Sequence, residues 1–138
     1  MLTPFHLAIP VNNLEDAAHF YGHVLGCQQG RCDTHWIDWN FFGHQLVTHL
    51  VDVMPNAIQP NQVDSKSVPV PHFGVILNEQ SWLQVIASIK ANNIEFQIDP
   101  YIRFKGKTGE QGTFFLFDTA GNALEFKYFN DHTQIFAA

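Results

Sequence analysis

The strongest constraint on this chain is internal repetition. Sliding the sequence by 66 positions lays His6 on His72 and Asn12 on Asn78. Sliding it by 78 lays Gly43 on Gly121 and Leu46 on Leu124. Each half reads as a strand, a helix and then more strands, and such a unit buries its apolar face only with a neighbour's help. The two shifts differ by 12, so the second half carries 12 extra residues. They fall most naturally in 99–112, a stretch with Gly106, Gly109 and Gly112 and with Arg103, Lys105 and Lys107.

Periodicity places the elements. Phe5, Leu7, Ile9 and Val11 alternate with His6, Ala8 and Pro10, a strand with one greasy face and one small or polar face. Asn12 or Asn13 caps a helix, Glu15 and Asp16 suit its first turn, and Gly26 ends it. Leu14, Ala17, Ala18, Tyr21 and Leu25 form its apolar stripe. Strands are predicted over 36–42 and 45–51, around a Gly43-His44 turn. Four of the seven prolines, Pro55, Pro60, Pro69 and Pro71, crowd 52–71, which reads as a linker rather than an element. The pattern then restarts. His72, Gly74 and Ile76 alternate with Phe73, Val75 and Leu77, and Trp82, Val85, Ile86 and Ile89 mark a second helix. Ile94, Phe96 and Ile98 alternate with Glu95 and Gln97, and strands follow over 113–117 and 123–129 around an Asp118–Asn122 turn. The expectation is one α+β domain over 1–138: module one about 4–51, a linker 52–71, and module two about 72–130.

Composition narrows the partners. Apolar residues make up 46% and charged residues 14%, which argues against disorder. The net charge of −6 removes the usual electrostatic route to nucleic acid or anionic membrane. No run approaches 18 apolar residues, no basic segment precedes an apolar stretch at the N-terminus, and two cysteines are too few for a disulfide framework. A cytoplasmic protein with a small-molecule partner is expected.

Strand phase points to chemistry. If the greasy faces pack under the two helices, His6, His72 and Glu125 project onto the uncovered faces, and curling would gather them. Two imidazoles and a carboxylate on a facial arc form the non-haem Fe(II) arrangement, which also suits Zn, Mn, Ni or Co. Singly, a strand-start histidine is usually an edge residue and a strand glutamate a solvated one; their shared phase within a repeat sets these apart. His44 in its turn and His49 on the Val47 face are the candidate acid or base. Arg103 is expected to steer or clamp an anionic group from a mobile 99–112 lid, with Phe114 and Lys127 as further substrate contacts. His19 and His23 lie off the greasy stripe, and Cys27 and Cys32 lack the second pair of a zinc knuckle.

Three stretches carry a resemblance: His6-Leu7-Ala8-Ile9-Pro10-Val11-Asn12-Asn13-Leu14, Phe20-Tyr21-Gly22-His23-Val24-Leu25-Gly26 and Asp118-Thr119-Ala120-Gly121-Asn122-Ala123-Leu124-Glu125-Phe126. Together they resemble the vicinal oxygen chelate superfamily, which includes glyoxalase I, extradiol dioxygenases, fosfomycin-resistance enzymes and bleomycin-binding proteins. The resemblance runs over about residues 5–129. It implies paired βαβββ modules whose curved mixed sheets form a cup around a divalent metal, with His6, His72 and Glu125 at ligand positions. The fourth ligand position falls near Val47, and neither Val47 nor Thr48 is a good ligand. That favours a three-ligand, dioxygenase-like oxidoreductase over glyoxalase- or lyase-like chemistry. Fosfomycin thiol transfer ranks lower, because Phe129-Asn130-Asp131-His132 offers no arginine where those members carry one. The rival class is a non-catalytic sequestering protein of the bleomycin-resistance type. The resemblance also implies a homodimer, with His72 facing His6 and Glu125 of the partner subunit.

Overall fold

A computed structural model describes residues 2–56 and 58–138. The chain forms two compact units, one running to Asn56 and taking in Asp118–Asn122, the other holding the rest. No helix of the described residues is long and apolar enough to cross a membrane.

The first unit contains β1 (His6–Val11), α1 (Leu14–Ala18), a wider π-helical turn (His19–Val24), β2 (Gln28–Cys32), β3 (Trp36–Phe41) and β4 (His44–Leu50). The sheet order is β1-β4-β3-β2, with β1 parallel to β4 and the other pairs antiparallel. Asn13 caps α1 by accepting from the Asp16 N–H at 2.9 Å. Leu7, Ile9 and Val11 stand beside Leu46, Thr48 and Leu50 on one side of the sheet, and Ile9, Val11, Leu46 and Thr48 are buried with Phe20, Tyr21 and Val24 of the helix. Polar links cross this core, among them Trp39 Nε1–H donating to Thr48 Oγ1 at 3.1 Å. Gly22 gives the indole room, since a Cβ there would lie 3.2 Å from its ring. The Asp118–Asn122 turn is held by the buried Tyr21 hydroxyl, which donates to Asp118 Oδ2 at 2.7 Å. Strand β2 escapes the periodicity reading because all five of its residues are exposed and show no alternation.

The second unit repeats the plan with β7 (Phe73–Leu77), α2 (Glu79–Ala91), β8 (Ile98–Arg103), β9 (Gln111–Phe117) and β10 (Ala123–Phe129), in the order β7-β10-β9-β8. Asn78 caps α2 by accepting from the Ser81 N–H at 2.8 Å. Phe73, Val75 and Leu77 stand beside Leu124, Phe126 and Tyr128, and Trp82, Val85, Ile86 and Ile89 bury the inner face of α2. The mixed α+β architecture of two βαβββ modules is thus as expected.

Two expectations are corrected. The 52–71 stretch is no plain linker: it holds a hairpin, β5 (Gln59–Val63) and β6 (Lys66–Val70). Its two-residue turn, Asp64-Ser65, has φ of +52° and +62°, matching the twist of a tight hairpin. The 99–112 stretch is no long lid: β8 takes it up to Arg103 and β9 begins at Gln111, leaving 104–110 as the connection. Of the alternating 94–98 run only Ile98 is in a strand.

Candidate metal centre

On the second sheet the residues facing away from α2 follow from the pairing register. Gly74, Glu125, Phe115 and Ile98 form one row, and Ile76, Lys127, Thr113 and Tyr101 form the next. Glu125 stands mid-sheet with its side chain 11% exposed. His72, one residue before β7, turns its Nε2 to Glu125 Oε1 at 3.0 Å. Its other nitrogen, Nδ1, donates to the Pro69 carbonyl at 2.7 Å. The Thr113 hydroxyl donates to Glu125 Oε2 at 2.5 Å, and Lys127 Nζ stands 3.8 Å from the same oxygen. Phe115 meets the His72 ring edge-on, 5.0 Å between centroids. Gly74 is required here: a Cβ would sit 1.5 Å from the Glu125 carbonyl oxygen, so any side chain at 74 displaces the strand that carries the carboxylate.

Both nitrogens of His72 face oxygens, a carbonyl and a carboxylate, an environment that favours the doubly protonated ring. The hydrogen bond to Glu125 is the main cause that raises the His72 pKa above 6.5, against the pull of burial. Burial pushes Glu125 up, yet the bonds from His72 and Thr113 with the Lys127 charge hold it below the ordinary 4.5. This donor set fits a divalent cation. The backbone carbonyl fixes Nδ1 as the donor, the arrangement that orients a metal-ligating imidazole. Nε2 and Oε1 are then the free pair, and their 3.0 Å separation matches two adjacent ligands each about 2.1 Å from one ion. His72 Nε2 and Glu125 Oε1 would hold such an ion, with the Nε2 proton given up on binding.

The hairpin packs on this same sheet. Val68 is buried with Ile98 and Phe115, flanked by Val63 and Tyr101. At its tip Asp64 Oδ2 accepts from Tyr101 OH at 3.0 Å and from Arg103 Nε at 2.5 Å. The Arg103 bond is the chief cause that holds the Asp64 carboxyl below its usual value. Lys66 Nζ lies 4.7 Å over the Tyr101 ring.

No family model matches the chain, and no curated protein matches it. Solved structures do. A glyoxalase/bleomycin resistance protein/dioxygenase from Alicyclobacillus acidocaldarius is 35% identical over 97% of this chain and 96% of its own, with a TM-score of 0.79. The chain belongs to the glyoxalase/bleomycin resistance protein/dioxygenase family. The fold is shared with a glyoxalase/dioxygenase from Nostoc punctiforme, at 17% identity, 95% and 97% coverage and a TM-score of 0.69. It is shared too with the fosfomycin resistance protein FosX from Listeria monocytogenes, at 12% identity, 98% and 100% coverage and a TM-score of 0.68. The family shown by the 35% identical structure is consistent with the vicinal oxygen chelate superfamily.

Within that family assignment the expected site residues divide. The structure brings His72 and Glu125 together in one chain, whereas the sequence led us to expect His72 opposite the carboxylate of the partner subunit. His6 lies on the first sheet, where its Nδ1 donates to Gln45 Oε1 at 2.9 Å; the amide nitrogen of Gln45 points to Asp38 Oδ2 at 3.5 Å. Among the described residues no three His, Cys, Asp or Glu side chains gather as a metal-holding group. His44 opens β4, its Nδ1 accepts from the Phe5 N–H at 2.8 Å, and it lines a cavity with Asp38 and Gln45 of the first sheet. His49 is exposed, on the Val47 side, beside Pro10 and Trp36. Phe114, expected as a substrate contact, lies in the core. It is 0% exposed and stacks on Phe126 at 5.4 Å, on the helix side of the sheet. Arg103 sits in β8 rather than on a lid, and its charge is already met by Asp64. Lys127 stays on the candidate face. Burial pushes the Cys27 thiol up to about 12, and His19 and His23 stack on each other at 5.0 Å on the exposed helix side. The sequence reading missed Thr113 and Pro69. Thr113 was findable, since it falls two places before Phe115 on the strand antiparallel to the Glu125 strand.

Proposed function

We propose that the protein is a divalent-metal-dependent enzyme acting on a small substrate that chelates through two oxygens. Dioxygenase-like chemistry with Fe(II) comes first, and glyoxalase- or lyase-like chemistry with Zn, Mn, Ni or Co second. The observation that supports this is the His72–Glu125 pair, with Nδ1 tied to a backbone carbonyl and Nε2 turned to the carboxylate. The bound ion supplies Lewis-acid polarisation of the substrate oxygens, and iron adds access to O₂. The chain's own groups hold the site ready. Thr113 fixes Oε2 of Glu125 and leaves Oε1 for the ion, while Pro69 fixes the ring. Lys127 offers a positive charge to an anionic oxygen of the substrate, and His49 is the remaining candidate for moving a proton. His6 is the proposed third ligand, reaching the site from the partner subunit of a homodimer.

A second reading draws on the same pair. Imidazolium and carboxylate satisfy each other without an ion, as suits a protein that sequesters a small molecule. Metal analysis after purification without chelators separates the two. The enzyme reading expects near-stoichiometric divalent metal, lost in His6→Ala, His72→Ala and Glu125→Ala while each variant stays folded and unfolds cooperatively. Full retention in all three variants contradicts it. Sedimentation that shows only a 15.7 kDa species at micromolar concentration contradicts the shared dimer.

A further inference from the structure

We infer that Tyr101 and Arg103 form a carboxylate-binding subsite on the face of the second sheet that carries Glu125. Asp64 occupies that seat in the structure, and a carboxylate of the incoming ligand replaces it.

Two donors converge on one oxygen: Tyr101 OH at 3.0 Å and Arg103 Nε at 2.5 Å, both on Asp64 Oδ2. They come from alternate positions of one strand, so they share a side of the sheet. Hydroxyl plus guanidinium is a donor set suited to a carboxylate rather than to a neutral amide. A second positive group, Lys66, lies over the Tyr101 ring. With Lys127 beside Glu125, three of the chain's seven Lys and Arg gather on this face.

The present occupant is the exchangeable part. The Asp64 side chain is 38% exposed, whereas that of Arg103 is 19% exposed. The acid therefore stands on the solvent side of a sheltered guanidinium. It rides on the tip of a hairpin whose outer strand β5 is exposed at four of five positions. Beyond the tip, the packing of Val63 and Val68 on the sheet holds that hairpin down. An ion pair with one partner in solvent contributes little to stability, so a ligand carboxylate can take its place.

The seat adjoins the candidate metal ligand. Tyr101 pairs across β9 with Thr113, and the Thr113 hydroxyl is bonded to Glu125. A ligand that chelates at Glu125 and His72 would thus reach the seat with a carboxylate, which makes the substrate class an acid carrying a separate oxygen pair. That extension to substrate rests on the proposed metal function; the seat itself does not.

The test uses metal-free, full-length protein and acetate as the probe, so no outcome depends on metal binding. Asp64→Gly removes the carboxylate and keeps a turn that needs positive φ. The Arg103 Nε–H resonance is followed during acetate titration. The expected result is saturable binding in D64G, about tenfold or more weaker in the wild type, where tethered Asp64 competes at high effective concentration. Acetamide gives no shift, D64N behaves like D64G in releasing the guanidinium signal, and D64G with Arg103→Gln loses the acetate response at the Tyr101 ring. No saturable shift in D64G, equal affinity in D64G and wild type, or an equal response to acetamide would overturn the subsite. A protein that binds no metal but shows the acetate response loses the proposed enzyme function and keeps the seat.

Discussion

The two sheets share order, register and polarity, yet only one carries a histidine–carboxylate pair. Under the shift of 78 the counterpart of Glu125 is Val47, and under the shift of 66 the counterpart of Gly74 is Ala8. His6 and His72 open their modules alike, but different groups hold their Nδ1 atoms. The Gln45 side chain holds the first, and the Pro69 carbonyl, from the inserted hairpin, holds the second. The core faces differ as well: Thr48 takes the Trp39 N–H in the first unit, whereas its counterpart Phe126 stacks on Phe114 in the second. The repeat thus sets the scaffold, while a few single positions decide where chemistry can occur. A glycine that lets Glu125 stay in register counts among them.

The widest separation between the units is expected in the cores. Phe114→Ala should cost about 3–5 kcal/mol in urea unfolding, since a fully buried aromatic leaves a cavity among other aromatics. Ile37, opposite Thr48 as Phe114 is opposite Phe126, should cost less as Ile37→Ala, in the range of about 2–5 kcal/mol. A loss under about 1 kcal/mol at Phe114 would place that ring outside the core after all.

The glycine contrast comes next. Gly74→Ala forces a methyl onto the Glu125 backbone and should destabilise by about 1–3 kcal/mol, as overpacking does. It should also lower metal content. Ala8→Gly, at the matching position, should cost only about 0.5–1 kcal/mol of backbone entropy and leave metal content as it is. Wild-type metal content in Gly74→Ala would break the assigned positioning role.

The smallest effect is electrostatic and belongs to the metal-free protein. His72 should titrate above 6.5 by NMR, and Glu125→Gln should bring it back down. Because the folded value of His72 is raised, its contribution to stability is full below the unfolded value and fades as pH rises through the raised one. Because that of Glu125 is lowered, its contribution is full above the unfolded carboxylate value and fades as pH falls through the lowered one. The pair therefore supports the metal-free fold best between the ordinary values of 4.5 and 6.5. A His72 titration unmoved by Glu125→Gln would show that the contact does not persist in solution.

Much of this was legible before any coordinates. The strand over 123–129 is as read from its alternation, and Asn13 and Asn78 cap the helices as the patterns say. Glu125 and Lys127 share a face because strand parity requires it. Parity, carried across the Asp118–Asn122 turn, would also have placed Phe114 on the helix side, since Glu125 pairs with Phe115. The hairpin was hidden by composition. Pro60 and Pro69 face each other in it, and its mostly exposed outer strand shows no apolar period, so only the Asp64-Ser65 turn marks the hairpin. The Asp64 contact with Arg103 spans 39 positions of sequence, and no local spacing announces it.

The central claim is that His72 and Glu125 hold a divalent ion through Nε2 and Oε1. The most direct measurement is a Zn(II) titration of the protein labelled with ¹⁵N at histidine, near neutral pH. The account predicts that His72 Nε2 loses its proton and moves to a metal-bound shift within one equivalent per site, while Nδ1 stays protonated on the Pro69 carbonyl. It is contradicted if zinc binds at other histidines, such as the stacked His19 and His23, while His72 keeps both protons at saturation.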